Sequence, residues 1–304
     1  MNPILSIIVT THNFENFITP CLISIKECIK TEYRNDIEVI LIDDKSNDKN
    51  SSIMIAYKNS EKKFRYFRTE FGNIGKVRNF AIKNSRGQYI TFIDGDDTLP
   101  TFNIYKVIDF MMLNKTDILI SKINDVNQDS DYIKKSIFST PLKLTKHKSI
   151  QDFLIHKKFQ AHLCSKFFNK DLFNNLSIPE ISCYEDALVF PDILIKSNNI
   201  FITNSVFYNY IKRSDSLSNK ITHYKADIMA DVILYMNDKF DDKYHNLITT
   251  HAVEHLLKNK NILSNDKILK LERIIKDTNK ISYFLDPNVR LSFKKKILKL
   301  HKLF

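Results

Sequence analysis

Short apolar runs rich in β-branched residues alternate with segments of helical periodicity along the first hundred residues. Apolar runs of this length fit strands that are buried on both faces of a sheet. The predicted strands are 4–10 (ILSIIVT), 37–42 (IEVILI), 64–68 (FRYFR) and 88–93 (QYITFI). The predicted helices between them are about 18–29, 51–59 and 75–85. Strands that alternate with helices predict βαβ units and a mostly parallel sheet.

The pattern of apolar and polar residues is weaker beyond Pro100. It predicts, in chain order, a strand at 117–123, a polar excursion at 125–145, the start of a helix within 167–173, a helix at 187–197 that continues through Pro191, and a strand over 199–210. From about His223 onward almost all of the chain has helical character. The sequence therefore predicts an α/β protein, with one domain over 1–220 and a helical C-terminal region over 221–304.

Polar residues follow three of the predicted strands: TTHN at 10–13, DD at 43–44 and DGDD at 94–97. In open α/β sheets, ligands bind beyond the carboxyl ends of the strands. Three carboxylates within four residues repel one another, and burying them is costly without a positive partner. A Mg²⁺ or Mn²⁺ ion fits, because such ions commonly bind one or two carboxylates together with substrate phosphates. The alternative is a solvated turn, for which Asp and Gly are ordinary residues.

Composition narrows the function classes. No apolar run is long enough for a transmembrane helix, and the N-terminus lacks the features of a signal peptide. The four cysteines show no framework spacing, which predicts reduced thiols in a cytoplasmic protein. The formal net charge is +11, but no nucleic-acid motif occurs and no aromatic residues interleave with the basic cluster. Nucleic acid is therefore not an expected partner.

The basic excess is concentrated in the stretch RLSFKKKILKLHKLF (290–304), which holds six Lys or Arg residues and no acid. As a helix it places Phe293, Ile297, Leu300 and Phe304 on one face and lysines opposite. This pattern is typical of a helix that lies on an anionic membrane surface. The alternative is a helix that docks on the protein and leaves its basic face in solvent.

A second motif suggests a different chemistry. HAVEH (251–255) fits the H-x-x-E-H pattern of zinc proteases, with two histidines at helical i, i+4 spacing. Short motifs match often by chance, and no neighbouring motif supports this one. Packed histidines on a helix are the preferred interpretation.

Taken in order, IIVTTHN, VILIDDKSND, GNIGKVRNFAI and YITFIDGDD resemble the nucleotide-binding half of a family 2 glycosyltransferase of the GT-A fold, over about residues 3–100. CYEDALVF (183–190) and YNYIKRSDSLSN (208–219) resemble the catalytic segment and the aromatic–basic–serine loop of that family. The resemblance implies a Rossmann-like sheet with a nucleotide-binding half at 1–100 and an acceptor-binding half at 101–220.

The resemblance also implies roles for individual residues. The catalytic base would be Asp186, and the metal would be held by Asp94 and Asp96. The nucleotide-sugar contacts would be Thr11 and Asn13 at the base, Asp44 at uracil, Asn73, Lys76 and Arg78 near the ribose or diphosphate, Asp94 and Asp96 at the sugar nucleotide, and Arg213 at the leaving UDP. For Glu185 and Asp186 the alternative is an acidic pair stabilised by a helix N-terminus, and for Arg213 it is a surface salt bridge.

The function implied is metal-dependent, inverting transfer of a sugar from a nucleotide-sugar donor, with UDP as the favoured nucleotide. The acceptor would be a hydroxyl of a glycan or lipid-linked glycan, at the inner face of the cell membrane. One alternative is a sugar nucleotidyltransferase, although TTHNFEN lacks the Gly-rich phosphate loop that this class would need after its first strand. Another is a non-catalytic, membrane-associated scaffold with a degenerate nucleotide fold.

Overall fold

The computed structural model describes residues 2–30, 35–213 and 221–300. The chain divides into two compact units. Unit 1 comprises Met1–Lys146, His162–Val189 and Ile195–Ser214. Unit 2 comprises His147–Ala161, Phe190–Leu194 and Asp215–Phe304. The division differs from the predicted boundary between 220 and 221, because unit 2 also takes two short segments from earlier in the chain.

Unit 1 is built on a mixed, mostly parallel sheet. Its strands within the described residues are β1 (Leu5–Thr11), β2 (Ile37–Asp44), β3 (Phe64–Thr69), β4 (Tyr89–Asp94), β5 (Ile118–Val126), β6 (Leu142–Leu144), β7 (Lys166–Asn169) and β8 (Ile200–Ile211). The order across the sheet is β3-β2-β1-β4-β7-β5-β8-β6. β7 runs antiparallel to both β4 and β5, and β6 runs antiparallel to β8. The remaining ladders are parallel, which confirms the predicted fold class.

Helices precede or follow most of the strands. The helices of the described residues are α1 (Ile18–Ile29), α2 (Asn50–Ser60), α3 (Ile74–Asn84), α4 (Ile104–Leu113), α5 (Lys146–Leu154), α6 (Glu185–Lys196), α7 (His223–Lys239), α8 (His245–Asn259), α9 (Asn265–Lys276), α10 (Lys280–Leu285) and α11 (Leu291–Ile297). The predicted alternation of strands and helices over the first hundred residues is confirmed, as is the helix that contains Pro191.

The prediction that a helix begins within 167–173 is wrong. Residues Lys166–Asn169 form β7, and a short 3-10 turn follows at Lys170–Phe173. Phe167 and Phe168 are both buried although they point to opposite faces of the sheet. A strand between β4 and β5 buries both side chains at once, and this decides the conformation.

The carboxyl ends of β1, β2 and β4 lie together at one end of the sheet. β1 pairs with β2 on one side and with β4 on the other, all in parallel. The carboxyl ends of these strands therefore meet at the point where the strand order reverses, which is where α/β sheets bind ligands. β1 and β2 are buried along their whole length, so the apolar runs serve as the rigid core beneath that edge.

In unit 2, α5 and the middle of α6 pack with the C-terminal helices. His147 of α5 hydrogen-bonds the Tyr244 hydroxyl at 2.9 Å, and the Tyr235 hydroxyl donates to Asp192 at 2.5 Å. These contacts explain why residues 147–161 and 190–194 belong with the helical C-terminal region, which periodicity alone does not show.

The two histidines of HAVEH face different parts of unit 2. Nε2 of His251 hydrogen-bonds the carbonyl oxygen of Leu154 at 2.6 Å, and Nε2 of His255 bonds that of Ala226 at 2.8 Å. Within the described ranges no cluster of three or more His, Cys, Asp or Glu residues is arranged to hold a metal ion. The packed-histidine interpretation is the one that fits.

α11 packs against α8, with Ile297 fully buried and Lys296 3.2 Å from Glu254. Of the predicted lipid-facing stripe, Phe293 and Leu300 are half-buried, and Phe304 lies outside the described residues. The burial of Ile297 is what the alternative predicts, in which this helix docks on the protein. No helix in the described part of the chain has the length and hydropathy required to cross a bilayer.

The four cysteines carry thiols and not disulfide bonds, as predicted. Cys21, Cys28 and Cys164 are buried, whereas Cys183 is partly exposed.

Candidate active site

Two of the three carboxylates in the DGDD turn are paired with arginines. Asp94 ends β4, and its Oδ1 lies 3.1 Å from a terminal nitrogen of Arg78. Asp96 lies 2.6 Å from a terminal nitrogen of Arg213. The site predicted from sequence therefore brings both acids and both basic residues together, and guanidinium groups offset the negative charge.

The third carboxylate, Asp97, faces the interior. It is 1% exposed, and it accepts hydrogen bonds from the Tyr208 hydroxyl at 2.7 Å and from the backbone N–H of Ile211 at 2.8 Å. Burial, together with the charges of Asp94 and Asp96, raises the pKa of Asp97 to about 8. A proton on Asp97 relieves the repulsion within the turn. Asp97 therefore anchors β8 to the turn and is not positioned as a ligand for substrate.

Arg78 connects the DGDD turn to the start of α6. It is buried on α3, and one terminal nitrogen lies 2.5 Å from Glu185 while the other contacts Asp94. Burial and the neighbouring charge of Asp186 raise the pKa of Glu185, although Arg78 opposes them. Arg78 is thus buried between Asp94 of the DGDD turn and Glu185 at the start of α6, and it pairs with both; its predicted contact with ribose or diphosphate stays a prediction.

Asp186, the predicted base, lies in the first turn of α6. Its Oδ1 accepts the N–H of Ala187 at 2.7 Å, and its Oδ2 lies 3.3 Å from Nδ1 of His162. Burial alone would raise the pKa of Asp186, but the hydrogen bond and charge of His162, with Arg78 behind it, hold that pKa below its usual value. The carboxylate is therefore kept ionised.

A buried lysine supports the backbone beside this pair. Nζ of Lys166, which is 2% exposed, donates to the carbonyl oxygen of His162. Burial lowers the pKa of Lys166 to about 8. Ser165 between them adopts a φ of 59°, and its carbonyl oxygen accepts the N–H of Ser121 at 3.0 Å. These bonds hold the 162–166 turn in one conformation.

Asp44 lies at the end of β2 with one oxygen turned inward. Its Oδ1 accepts the Thr69 hydroxyl at 2.9 Å and the N–H of Phe71 at 2.8 Å. Its Oδ2 makes no hydrogen bond to the described residues, so one oxygen of a rigidly held carboxylate is available to a ligand. Phe71, whose N–H makes the second of these bonds, is 42% exposed.

Thr11 and Asn13 have different positions at the end of β1. Thr11 is buried, and its hydroxyl donates to the carbonyl oxygen of Ile42 at 3.2 Å. A Cβ on Gly95 would lie 2.3 Å from the Thr11 methyl carbon, so these two residues pack as the floor of the site. Asn13 is exposed, with a φ of 56°.

The loops after β1 and β2 are joined through Asn13. Its N–H donates to the Ser46 hydroxyl at 2.8 Å, and its Oδ1 accepts the N–H of Asn47 at 2.9 Å. His12 is exposed, and its Nδ1 bonds the carbonyl oxygen of Asp44 at 2.7 Å. The rim of the site therefore presents His12 and Asn13 beside Asp44.

Asn73 and Lys76 lie at the start of α3. The Asn73 side chain caps the helix by accepting the N–H of Lys76 at 3.0 Å, and Nζ of Lys76 lies 3.4 Å from Glu180. Such an exposed pair is weak. Lys76 is therefore available to a ligand, whereas the Asn73 side chain serves the helix end.

Arg213 lies over two aromatic rings. Its guanidinium carbon is 5.0 Å from the ring centre of Phe14 and 4.8 Å from that of Phe17. The two rings and Asp96 together fix the position of the guanidinium. This environment differs from that of an ordinary surface salt bridge, in which both side chains are solvated. Residues 214–219 of the predicted aromatic–basic–serine loop lie outside the described residues.

The donor set tests whether a divalent ion fits here. Asp94 and Asp96 are the partly exposed acids, with side chains 34% and 16% exposed, while Asp97 is committed to the interior. Two carboxylates do not complete a coordination sphere for Mg²⁺ or Mn²⁺, but they match the usual arrangement in which substrate phosphates supply further oxygens. The two carboxylates therefore fit a metal ion that a diphosphate also coordinates. Arg213 would compete with that ion for Asp96, because the two side chains are paired.

Sequence reasoning missed four residues around the site: His12, His162, Lys166 and Tyr208. His12 lies inside the TTHN segment, and that position was the available signal for it, whereas His162 and Lys166 lie outside the motifs described above. The hydroxyl of Tyr208 accepts the N–H of Asp94 at 3.1 Å. That contact joins residues 114 positions apart, which no local pattern reveals.

The chain is similar to known proteins in sequence and in fold. The family described as "Glycosyl transferase family 2" matches residues 6–177. The poly(ribitol-phosphate) beta-glucosyltransferase of Bacillus spizizenii is 29% identical over 217 residues, which cover 69% of this chain and 32% of that protein. The chain thus spans about a third of the length of this relative.

Two solved structures are similar in fold. The crystal structure of Staphylococcus aureus TarS 1–349 in complex with UDP-GlcNAc has a TM-score of 0.71 and 20% identity, covering 98% of this chain and 91% of that one. The mannosyltransferase PcManGT from Pyrobaculum calidifontis, in complex with GDP-Man and Mn²⁺, has a TM-score of 0.50 and 14% identity, covering 100% and 81%. At these identities the likeness shows the fold.

Proposed function

The chain belongs to glycosyl transferase family 2, and from that premise we propose that it is a metal-dependent, inverting glycosyltransferase that uses a UDP-linked sugar. The observation that carries the proposal is the meeting of Asp94, Asp96, Arg213 and the Asp186 segment at the carboxyl edge of the sheet, with Arg78 joining the first to the last. Family membership also favours transfer of a sugar over nucleotidyl transfer.

The nucleotide base is proposed to be uracil, recognised by Asp44. Uracil presents an N–H at its imide nitrogen, which the outward oxygen of an ionised carboxylate accepts. Cytosine presents a lone pair at the same position, so the carboxylate would disfavour it. The TarS structure in complex with UDP-GlcNAc supports this choice of nucleotide. His12 and Phe71 border the position of the base.

The diphosphate is proposed to lie between Asp96, Arg213 and Lys76. A Mn²⁺ or Mg²⁺ ion held by Asp94 and Asp96 would stabilise the charge that develops on the leaving UDP, and the Mn²⁺ in the PcManGT structure supports such a metal. Arg213 exchanges Asp96 for a phosphate oxygen when the nucleotide is bound. The guanidinium then adds a second positive charge on the leaving group.

The acceptor is proposed to be a hydroxyl of a surface polysaccharide or lipid-linked glycan. A hydroxyl is a poor nucleophile until its proton is removed as it attacks. Asp186, whose Oδ2 lies 3.3 Å from Nδ1 of His162, is the residue proposed to accept this proton. The relative that acts on poly(ribitol-phosphate) supports an acceptor of the cell-surface polymer class.

The decisive experiment is a screen of UDP-sugars for release of UDP, with and without Mn²⁺, combined with UDP titration by calorimetry. We expect UDP to bind more tightly with Mn²⁺, and Asp96→Asn to abolish that metal-dependent gain with the fold intact by circular dichroism. The proposal fails if no UDP-sugar is turned over and UDP affinity does not respond to metal.

The protein is further proposed to act at the cytoplasmic face of the membrane. Leu291, the first residue of α11, and Leu298, the residue that follows its last, are 68% and 56% exposed; they are seven positions apart, with Lys294 and Lys295 between them. Residues at this spacing share one helix face. This outer face, not the stripe that contains the buried Ile297, combines apolar and basic side chains in the way that favours an anionic lipid surface.

A further inference from the structure

The loops that follow β1 and β2 are joined by more than Asn13. The backbone N–H of Glu15 donates to Oδ2 of Asp48 at 2.9 Å, and the backbone N–H of Lys49 donates to Oε2 of Glu15, also at 2.9 Å. Each loop therefore gives a carboxylate to a backbone N–H of the other. A carboxylate accepts a stronger hydrogen bond than a neutral oxygen does. Residues 13–15 and 46–49, with the hydrogen bonds between them, are called the loop brace below.

The loop brace is anchored to the elements beside it. Oδ1 of Asp48 accepts the N–H of Asn50, the first residue of α2, at 2.9 Å, so each oxygen of Asp48 accepts one N–H. The side-chain amide of Asn50, which is fully buried, donates to the Thr11 hydroxyl at 2.8 Å and to Oδ1 of Asp43 at 2.9 Å. The start of α2 is thereby fixed to the ends of β1 and β2, and the brace has a rigid base.

Phe14 lies between the two braced positions of the first loop. Its neighbours Asn13 and Glu15 both hydrogen-bond the second loop, and its carbonyl oxygen accepts the N–H of Ile18, the first residue of α1, at 2.9 Å. Its ring is one of the two over which the guanidinium of Arg213 lies. The loop brace therefore fixes one of the aromatic rings that support the arginine proposed to bind the diphosphate.

The second loop follows directly from Asp44, the residue proposed to recognise the base. One residue separates Asp44 from Ser46, whose hydroxyl accepts the N–H of Asn13 at 2.8 Å. The carboxylate for the base and the ring beneath Arg213 are thus carried by two loops that the brace holds together. A nucleotide that contacts both groups finds them already placed, so less ordering is required when it binds.

We propose that Glu15 and Asp48 are positioning residues for the nucleotide, and that the loop brace keeps the base-binding and diphosphate-binding groups in register; this rests on the proposed function. Neither carboxylate touches the reacting atoms in this role. When the brace is broken, the loop that contains Phe14 gains freedom in the empty protein, and UDP has to remove that freedom on binding. The loss therefore appears in the affinity for UDP as well as in stability.

Three variants separate the brace from the other contacts of these residues. Glu15→Ala removes the acceptor of the Lys49 N–H, whereas Glu15→Gln keeps a side-chain oxygen of the same reach. Asp48→Ser retains one oxygen that can accept the N–H of Asn50, as serine does at helix starts, but has no second oxygen for the N–H of Glu15. Calorimetry measures the affinity for UDP with Mn²⁺ present, and circular dichroism with thermal unfolding checks the fold.

Asp117→Ala is the matched control. Oδ2 of Asp117 accepts the N–H groups of Asn198 and Asn199 at 2.7 and 2.9 Å, so this carboxylate also joins two segments of unit 1 through backbone hydrogen bonds. Asp117 immediately precedes β5, whose amino end lies at the opposite end of the sheet from the site, because β4 and β5 are both antiparallel to β7. Asp117→Ala should lower thermal stability, as the brace variants do, and leave the affinity for UDP unchanged.

We expect the affinity for UDP to fall about tenfold in Glu15→Ala and in Asp48→Ser, the effect of losing one hydrogen bond to a charged group. In Glu15→Gln it should stay within about threefold of the wild type, because the hydrogen bond is kept. The double variant Glu15→Ala/Asp48→Ser should lose little more than either single variant, since breaking one bond already frees the loop. If one single variant does not fold, the other is sufficient for the comparison with Asp117→Ala.

Two results would overturn the positioning role. If Glu15→Ala and Asp48→Ser bind UDP as the wild type does, or lose no more affinity than Asp117→Ala, the brace serves stability alone. If Glu15→Gln loses as much affinity as Glu15→Ala, the charge of Glu15 matters and its hydrogen bond does not. A wild type that does not bind UDP at all would overturn the proposed function itself, which separates the two failures.

Discussion

At the scale of single residues, the DGDD turn shows three ways in which a protein reduces the repulsion between neighbouring carboxylates. Asp94 is paired with a buried arginine, Asp96 with an arginine held over aromatic rings, and Asp97 is buried where a raised pKa favours its neutral form. The acids were predictable because they follow an apolar strand. Arg78 and Arg213 were expected at the site from the family resemblance, but their pairing with Asp94 and Asp96 was not, since the two arginines reach the turn only through the folded positions of α3 and of the segment after β8.

Arg213 should control how tightly the empty protein binds metal. In Arg213→Gln the guanidinium no longer competes for Asp96, so Mn²⁺ affinity without nucleotide should rise about tenfold, equivalent to ~1.4 kcal/mol. UDP affinity with Mn²⁺ present should fall, because the diphosphate loses its arginine. Calorimetric titration of Mn²⁺ and then UDP measures both effects.

Lys212→Gln is the control for this prediction, because the neighbouring Lys212 pairs with Asp125 at the surface, 2.8 Å away. Its Mn²⁺ and UDP affinities should match those of the wild type. An unchanged Mn²⁺ affinity in Arg213→Gln would show that the arginine does not restrain Asp96.

At the scale of elements, local periodicity was sufficient where a strand or helix buries one continuous set of residues. β1 and β2 are buried throughout and β4 is buried in all but its last residue, and the helices that follow these strands have regular apolar spacing. β7 was misassigned because its four residues gain their partners from β4 and β5, strands that are distant in sequence. The segments 147–161 and 190–194 belong to unit 2, and local periodicity does not reveal this for the same reason, since their packing partners come later in the chain.

The end of the sheet opposite the site holds a buried carboxylate that ties three strands together. Oε1 of Glu38 accepts the Ser6 hydroxyl and the N–H of Arg86, both at 2.6 Å, and Oε2 lies 2.8 Å from Arg65. The hydroxyl of Ser6 in turn accepts the N–H of Gly87 at 2.9 Å. Burial would raise the pKa of Glu38, but these hydrogen bonds and the charge of Arg65 hold it below its usual value.

Glu38 should therefore make stability depend on pH. Its pKa is lower in the folded than in the unfolded chain, so its contribution is complete above the unfolded value of about 4.3 and is lost as pH falls through the folded value. Glu38→Gln should reduce the free energy of unfolding by about 1–3 kcal/mol at pH 7 and by less in acid. Urea unfolding at a series of pH values measures this, and an equal loss at every pH would contradict it.

At the scale of the whole molecule, charge is distributed unevenly. The chain carries a formal charge of +11, and residues 287–300 of unit 2 contain basic residues and no acid. The two units therefore differ in surface character: unit 1 holds the acidic site, and the end of unit 2 is basic with exposed leucines. The basic end of unit 2 is the feature on which the proposed contact with an anionic membrane depends.

Binding to anionic vesicles should depend on the outer face of α11. The full chain should sediment with phosphatidylglycerol vesicles at low salt, and less so at high salt, because screening weakens an attraction of roughly 1 kcal/mol per basic residue. Leu291→Ser/Leu298→Ser should release it without loss of UDP binding. Leu113→Ser is the matched control, since Leu113 is 84% exposed in unit 1. If Leu291→Ser/Leu298→Ser sediments with the vesicles as fully as Leu113→Ser does, this face does not bind the membrane.

The uneven burial of the four thiols makes the unmodified chain suited to fluorescence spectroscopy. Cys183 is partly exposed and stands three residues before Asp186, whereas the other three cysteines are buried. A maleimide dye should therefore attach to Cys183 in the native protein at about one mole per mole, and mass spectrometry of a tryptic digest would verify the position. A dye at that position would report on acceptor arrival by its change in emission, without any turnover, and so provides a way to identify acceptors whose chemistry is still to be found.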